Sequence, residues 1–186
     1  MSPKTKVCLM TAFAGESQAR NRYTYFASVA KKAGLEQIAA IFLETADNEK
    51  EHAKRLFSYL ADEEVEITAS FPAGLGETKG NLEHAAAGER YEWGTMYPGF
   101  EKIAREAGDN EQADLFRELA QVEAQHEKRY LKLLANVKED KVFKKETAVK
   151  WHCRNCGYVY EGVSAPIECP ACKHPQAYYE LLAENY

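Results

Sequence analysis

The sequence predicts a mainly α protein, a four-helix bundle followed by a small cysteine-rich β/loop module. Three observations predict it. Apolar residues recur at helical spacing in four long stretches, each ended by glycine or proline. The first 137 residues look like an internal duplication. From Trp151 onward the composition shifts to Cys, Gly, Pro and Tyr. A chain of 186 residues has room for one sizeable core, or for a core plus a small module.

Ser2-Pro3 is a good helix start, with serine as cap and proline in the first turn. A helical pattern then runs to residue 32, and Gly34 stops it. The second helix is expected over 36–61. A long loop follows over 62–79, where Phe71-Pro72-Ala73-Gly74 and Gly76 break helices. The third helix is expected over 81–107, with a kink or interruption at Pro98-Gly99 and a stop at Gly108. The fourth is expected over 109–137. Residues 138–150 are highly charged and read as a linker, which divides the chain into a bundle (1–137), the linker and a module (151–186).

The duplication shows in matched positions. Gly34 and Gly108 are 74 apart, as are Phe42 and Phe116, Glu49 and Glu123, His52 and His126, and Arg55 and Arg129. Ala14-Gly15-Glu16 matches Ala87-Gly88-Glu89 at an offset of 73, so one inserted residue separates the two registers. Two similar helix pairs facing each other would make an approximately two-fold symmetric bundle.

Two short words recur within it, Glu49-Lys50-Glu51-His52 and Glu123-Ala124-Gln125-His126. Each Glu-x-x-His puts both side chains on one helix face. Each follows an isolated glutamate, Glu16 before Glu49 by 33 residues and Glu89 before Glu123 by 34. One such word is cheap by chance. Its place is not: the acids interrupt the apolar stripes that should face inward, Leu9, Phe13, Glu16, Tyr23 in the first helix and Phe116, Leu119, Glu123, His126, Tyr130 in the fourth. Four buried glutamates would repel one another severely, and two divalent cations would cancel their charge. One glutamate from each of two helices plus Glu-x-x-His from two others is the ligand inventory of a dimetal bundle. Oxygen ligands with one imidazole per metal suit iron or manganese, while ligand type alone leaves zinc and copper open. Glu44, Glu51, Glu118 and Glu127 read as ordinary surface acids.

Glu92 stands apart. It shares a face with Glu89, but its counterpart after Glu16 is Ala19, so a seventh potential ligand exists on one side only. It reads either as a surface acid or as an exchangeable ligand that competes with His52. Tyr23 and Tyr97 fall near the same seam, where their hydroxyls could hold carboxylates or supply protons. In the module, Cys153-Arg154-Asn155-Cys156 and Cys169-Pro170-Ala171-Cys172 form two Cys-x-x-Cys pairs that build a tetrahedral thiolate site for zinc or iron. The module is too short for an independent apolar core, so the metal should supply much of its folding energy. Trp151, Tyr158, Tyr160 and Tyr178 are its expected aromatic core, and Cys8 reads as a helix residue outside any site.

The net charge of −5 argues against a nucleic-acid surface. The first residues lead into no long apolar run, so no signal peptide and no membrane span are expected, and a cytoplasmic location is the default.

These motifs carry a resemblance. Ala12-Phe13-Ala14-Gly15-Glu16-Ser17-Gln18-Ala19-Arg20-Asn21-Arg22-Tyr23, Glu49 through Leu56, Ala87-Gly88-Glu89 with Glu92, Met96-Tyr97-Pro98, Glu123 through Arg129 and the two cysteine pairs together resemble the rubrerythrin family over essentially the whole chain. The resemblance implies a ferritin-like diiron domain followed by a rubredoxin-like domain. It implies non-haem iron in both sites, with Glu16, Glu49, Glu89, Glu92, Glu123 and His126 on the iron pair and His52 replacing Glu92 on reduction. It implies a peroxidase for oxidative-stress defence that reduces hydrogen peroxide to water. Electrons would come from a redox partner, a rubredoxin or a NAD(P)H-linked reductase, through the Cys153, Cys156, Cys169, Cys172 iron. It also implies a homodimer. Iron storage of the ferritin type, or a binding protein with a zinc-held ribbon, are the competing classes.

Overall fold

The computed structural model describes residues 1–61 and 64–185. The chain runs through α1 (Pro3–Lys32), α2 (Glu36–Phe57), α3 (Thr78–Tyr91), a π-helical turn (Glu92–Met96), α4 (Tyr97–Glu106) and α5 (Asn110–Lys138). It continues into β1 (Lys144–Cys153), β2 (Val159–Ser164), a 3₁₀ turn (Gln176–Tyr178) and β3 (Tyr179–Leu181). The Ser2 hydroxyl accepts the Thr5 N–H at 3.1 Å, and Pro3 fills the first turn of α1. Gly34 and Gly108 hold φ of +74° and +80°, conformations that side chains resist, so each ends its helix and turns the chain back. α1 packs along α2, α5 packs along α3 and α4, and α1 touches α3 and α4 to join the two pairs.

The third helix is built in three pieces. Pro98 has no N–H to give the carbonyl one turn before it, and the α-helical pattern yields to the wide turn at Glu92–Met96. That turn also absorbs the inserted residue. Seven positions separate Glu16 from Tyr23, and eight separate Glu89 from Tyr97. Beyond the insertion α4 regains the register of α1, and Tyr23 and Tyr97 become structural counterparts.

Two apolar clusters fill the bundle, one around Phe26, Phe42, Leu82 and Tyr130, the other around Leu9, Leu56, Tyr97 and Phe116. The 73 and 74 offsets exchange them: Leu9 corresponds to Leu82, Ala12 to Ala85, and Phe42 to Phe116. Phe42 and Phe116 are both fully buried, each worth about 1.5–3 kcal/mol of transfer free energy. The clusters thus clamp the two ends and leave the waist to the acids. No helix among the described residues is long and apolar enough to cross a membrane.

The module is an antiparallel sheet of order β2-β1-β3. β1 begins at Lys144, inside the stretch expected to be a linker. Most of its first residues are exposed, so their charges read as solvated coil although the backbone is paired, Lys144 with Ser164. The module core is Trp151, Cys153, Ala165, Cys169 and Tyr179, with Tyr178 partly buried. Tyr158 and Tyr160, expected inside, lie on the surface. Tyr179 takes the inward position because its strand pairs it with Cys153. The bundle and module meet at the α1–α2 turn, where Ala177 Cβ lies 3.6 Å from the place a Gly34 side chain would begin.

Candidate metal centres

Glu16, Glu49, Glu89 and Glu123 each come from a different helix, α1, α2, α3 and α5, and all are buried at the waist. His52 Nδ1 lies 2.9 Å from Glu49 Oε2, 3.2 Å from Glu123 Oε1 and 3.6 Å from Glu16 Oε2. Its counterpart His126 Nδ1 lies 2.9 Å from Glu123 Oε2, 3.3 Å from Glu49 Oε1 and 3.7 Å from Glu89 Oε2. The two sets of distances match pair for pair. Glu49 and Glu123 contribute one oxygen to each group, so they stand between two convergent quartets, Glu16-Glu49-His52-Glu123 and Glu49-Glu89-Glu123-His126.

These atoms fit cations. The facing oxygens and ring nitrogens of all six residues are buried and make no hydrogen bond, although they lie side by side. Atoms about 2.1 Å from one ion and at right angles around it are roughly 3.0 Å apart, close to the spacing here. Charge gives the same answer. Burial, then the charges of Glu123 and Glu49, hold the Glu16 carboxyl well above its usual range. Burial and then Glu49 push Glu89 up to about 8. Burial works against ionisation of Glu49 as well, but the imidazoles of His126 and His52 hold it down to about 2. Burial would lower His126, yet Glu123, Glu49 and Glu89 carry it up to about 12, and His52 is raised in the same way. The waist is starved of positive charge, and two protonated imidazoles supply only part of it.

The tyrosines complete the frame. Tyr23 on α1 donates to Glu89 at 2.5 Å, and Tyr97 on α4 donates to Glu16. Each tyrosine therefore reaches across to the carboxylate of the other half, and the pairing obeys the two-fold. Both hydroxyls are fully buried, and their acidity is suppressed first by burial and then by the carboxylate they serve.

Glu92 is buried, which excludes its reading as a surface acid. It belongs to neither quartet in this conformer, where His52 is in place. Burial, then Glu89 and Glu16, hold its carboxyl well above the usual range. Glu92 lines a cavity of about 750 Å³ between α1, α3 and the extended segment 68–73. Glu44, Glu51 and Glu118 are exposed as expected. Glu127 is not free: it accepts the Trp93 indole N–H at 2.6 Å, in a cluster where Arg90 covers the Trp93 ring. Cys8 is buried in the apolar end of α1.

In the module, Cys153 Sγ and Cys172 Sγ lie 3.8 Å apart, and Cys156 Sγ and Cys169 Sγ 3.7 Å apart. A disulfide would be near 2.05 Å, whereas four sulfurs about 2.3 Å from one tetrahedral ion sit roughly 3.8 Å from one another. Two equivalent knuckles build this. Cys153 N–H reaches the Tyr158 carbonyl and Cys169 N–H the His174 carbonyl, both at 2.8 Å. Gly157 and Lys173 hold matching φ of +81° and +62°. The role of Lys173 had no sequence signal, because a non-glycine residue in that region is uncommon. The His174 backbone N–H draws the Cys172 thiol down to about 6. The Tyr158 N–H favours the Cys156 thiolate too, but the neighbouring Cys172 sulfur and burial raise Cys156 to about 12. Four sulfurs converging at this spacing again call for a cation.

Comparison with known proteins agrees with both sites. The family model for rubrerythrin matches residues 8–134, and the model described as the rubrerythrin rubredoxin-like domain matches residues 151–180. The chain is 59% identical to the rubrerythrin of Porphyromonas gingivalis, covering 98% of this chain and 92% of the relative. It is 55% identical to the rubrerythrin of Nitratidesulfovibrio vulgaris, covering 98% and 96%. A solved structure of fully reduced, all-ferrous nigerythrin superposes with a TM-score of 0.65 at 30% identity, over 96% of this chain and 86% of that one. A Rhodobacter capsulatus bacterioferritin, 20% identical with a TM-score of 0.66, shares the bundle fold over 75% of this chain and 88% of its own. The cofactors are accordingly non-haem iron, a diiron carboxylate–histidine site and a four-cysteine rubredoxin-like site.

Proposed function

The chain belongs to the rubrerythrin family of oxidoreductases, and from that premise we propose that it is a peroxidase that reduces hydrogen peroxide to water. The observation that carries this reading is the extra carboxylate. Two symmetric quartets would suffice to hold a metal pair, yet Glu92 adds a buried acid on one side only. We assign Glu16, Glu49, Glu89, Glu123 and His126 as the standing ligands, with His52 and Glu92 as alternatives at one ion. A neutral imidazole suits a ferrous ion and a carboxylate a ferric one. In the structure His52 stands in its quartet and Glu92 outside it, the arrangement we assign to the reduced state.

When bound, the reduced iron pair supplies the two electrons that split an O–O bond without releasing a radical. The residues do the rest. Tyr23 and Tyr97 fix Glu89 and Glu16 by donating to one oxygen of each. Burial, then Glu89 and Glu16, favour the protonated form of the Glu92 carboxyl, which lines the cavity and is placed to hold or give up a proton there. The two apolar clusters exclude bulk water from both ends of the waist.

The rubredoxin-like module implies a redox partner, and Cys153, Cys156, Cys169 and Cys172 are its proposed iron ligands. We take the upstream donor to be a NAD(P)H-linked reductase, acting directly or through a rubredoxin. The working unit is proposed to be a homodimer. We take the setting to be cytoplasmic, where reducing conditions keep thiols available as metal ligands. The test is a steady-state assay with an NAD(P)H-linked reductase. Consumption of NAD(P)H should depend on both peroxide and this protein. A reduced protein that peroxide leaves reduced would refute the reading.

A further inference from the structure

The cavity beside Glu92 is too large for its proposed substrate. Hydrogen peroxide is little bigger than water, whose share of liquid volume is about 30 Å³. The cavity holds about 750 Å³, inside the range of roughly 300–1,000 Å³ typical of sites for larger organic molecules. Its position is also specific. Thr11 and His84, Gly15 and Gly88, and Gln18 and Tyr91 are counterparts at the 73 offset, and all line it. The cavity therefore straddles the two-fold axis that relates the two iron-binding quartets.

Its floor and walls differ in chemistry. Gly15 and Gly88, the residues before Glu16 and Glu89, line it without side chains, and Glu92 is the waist acid that reaches it. A Cβ on Gly15 would already touch the Phe71 ring at 3.8 Å, and one on Gly88 the Arg22 guanidinium at 3.7 Å. Phe71, Met96 and Phe100 make one wall apolar. Glu92 supplies a carboxyl and Arg22 a guanidinium, and the two-fold repeats neither, since their counterparts are Ala19 and Met96. Arg22 Nε is buried with no hydrogen-bond partner, a donor left for something in the cavity.

We infer that this cavity admits organic hydroperoxides, ROOH with an apolar R group, to the same metal pair. The inference rests on the peroxidase reading. The R group lies along Phe71, Met96 and Phe100, and the hydroperoxide end meets Arg22 and Glu92. The O–O bond breaks, two electrons come from the reduced iron pair, and two protons complete the products, ROH and water.

The test uses the iron-loaded protein, cumene hydroperoxide and the exposed cavity residue Ala87. Dithionite-reduced wild type should be oxidised by both cumene hydroperoxide and hydrogen peroxide in single turnovers. Ala87→Phe puts a ring into the cavity and should lower the ratio of the first rate to the second at least about tenfold. Ala87→Ser, which adds little bulk to the cavity, should not lower it. Independently of turnover, the alcohol product 2-phenyl-2-propanol should bind the as-isolated wild type in a calorimetric titration, and Ala87→Phe should weaken it by about the same factor. No alcohol binding to wild type, or an unchanged rate ratio in Ala87→Phe, overturns the inference. Failure of hydrogen peroxide itself to oxidise the reduced wild type overturns the peroxidase reading instead, and the alcohol titration still decides the cavity.

Discussion

Tyr97→Phe isolates one hydroxyl at the waist. Tyr97 is fully buried, its ring packs 6.0 Å from Phe116, and phenylalanine keeps that packing. What is lost is the donor to Glu16, whose carboxyl is itself buried and has no solvent to turn to. A hydrogen bond to a charged group is worth about 1.5–3 kcal/mol, and that is the expected loss of stability. The two-fold makes the claim sharper. Tyr23 serves Glu89 in the same way, in a ring cluster that Phe also preserves, with Tyr130 at 5.5 Å. Tyr23→Phe should therefore cost a similar amount. Urea unfolding of the iron-loaded protein, followed by helical circular dichroism, should show both midpoints falling with the urea dependence unchanged. A loss below about 0.5 kcal/mol in either variant, or a loss in only one, would refute the symmetric cross-pairing as a source of stability.

Other outcomes follow from the same geometry. Cys156→Ser or Cys172→Ser should abolish reductase-driven turnover but leave the bundle folded, with peroxide still oxidising the chemically reduced diiron pair in one turnover; turnover at the wild-type rate would remove the relay. Glu92→Ala should still bind two ferrous ions through His52 and be impaired on oxidation, whereas His52→Ala should be impaired in the ferrous form. Ligands that stay the same in crystal structures of both oxidation states would contradict the exchange. Iron removal should make stability fall between about pH 6.5 and 8. There the folded chain keeps protons that the unfolded chain sheds, at Glu89, raised to about 8, and at His126, raised to about 12. Glu49, held at about 2, adds stability above its unfolded value near 4.5 and is flat across that window. A metal-free urea midpoint that is constant or rises over this range would count against the charge-starved waist.

Much of this architecture is legible in the residues. Ser2-Pro3, Gly34 and Gly108 mark helix ends by local backbone chemistry, so they could be placed without knowing any neighbour. The quartets are legible because the duplication writes each of their residue types twice. The shift from 73 to 74 locates an inserted residue but does not say how a helix absorbs it; that took Pro98 and the π-helical turn together. The partners of Tyr23 and Tyr97 were hidden because they lie on other helices, and spacing within one helix cannot name them. Trp93 with Glu127 was hidden for the same reason. In the module, the sequence predicts Tyr158 and Tyr160 inside and carries no signal for Tyr179. Three closely spaced strands can turn a tyrosine either way, and only the pairing of β3 with Cys153 decides it.

The central claim is that the waist holds a redox-active iron pair that peroxide oxidises. Anaerobic titration of the dithionite-reduced protein with hydrogen peroxide, followed by visible absorbance and metal analysis, tests it most directly. The account predicts about three irons per chain, two at the waist and one at the cysteines. It also predicts reoxidation of the waist pair by about one peroxide per pair, with water as the only product. A protein that carries only zinc, or a reduced iron pair that peroxide does not oxidise, would contradict it.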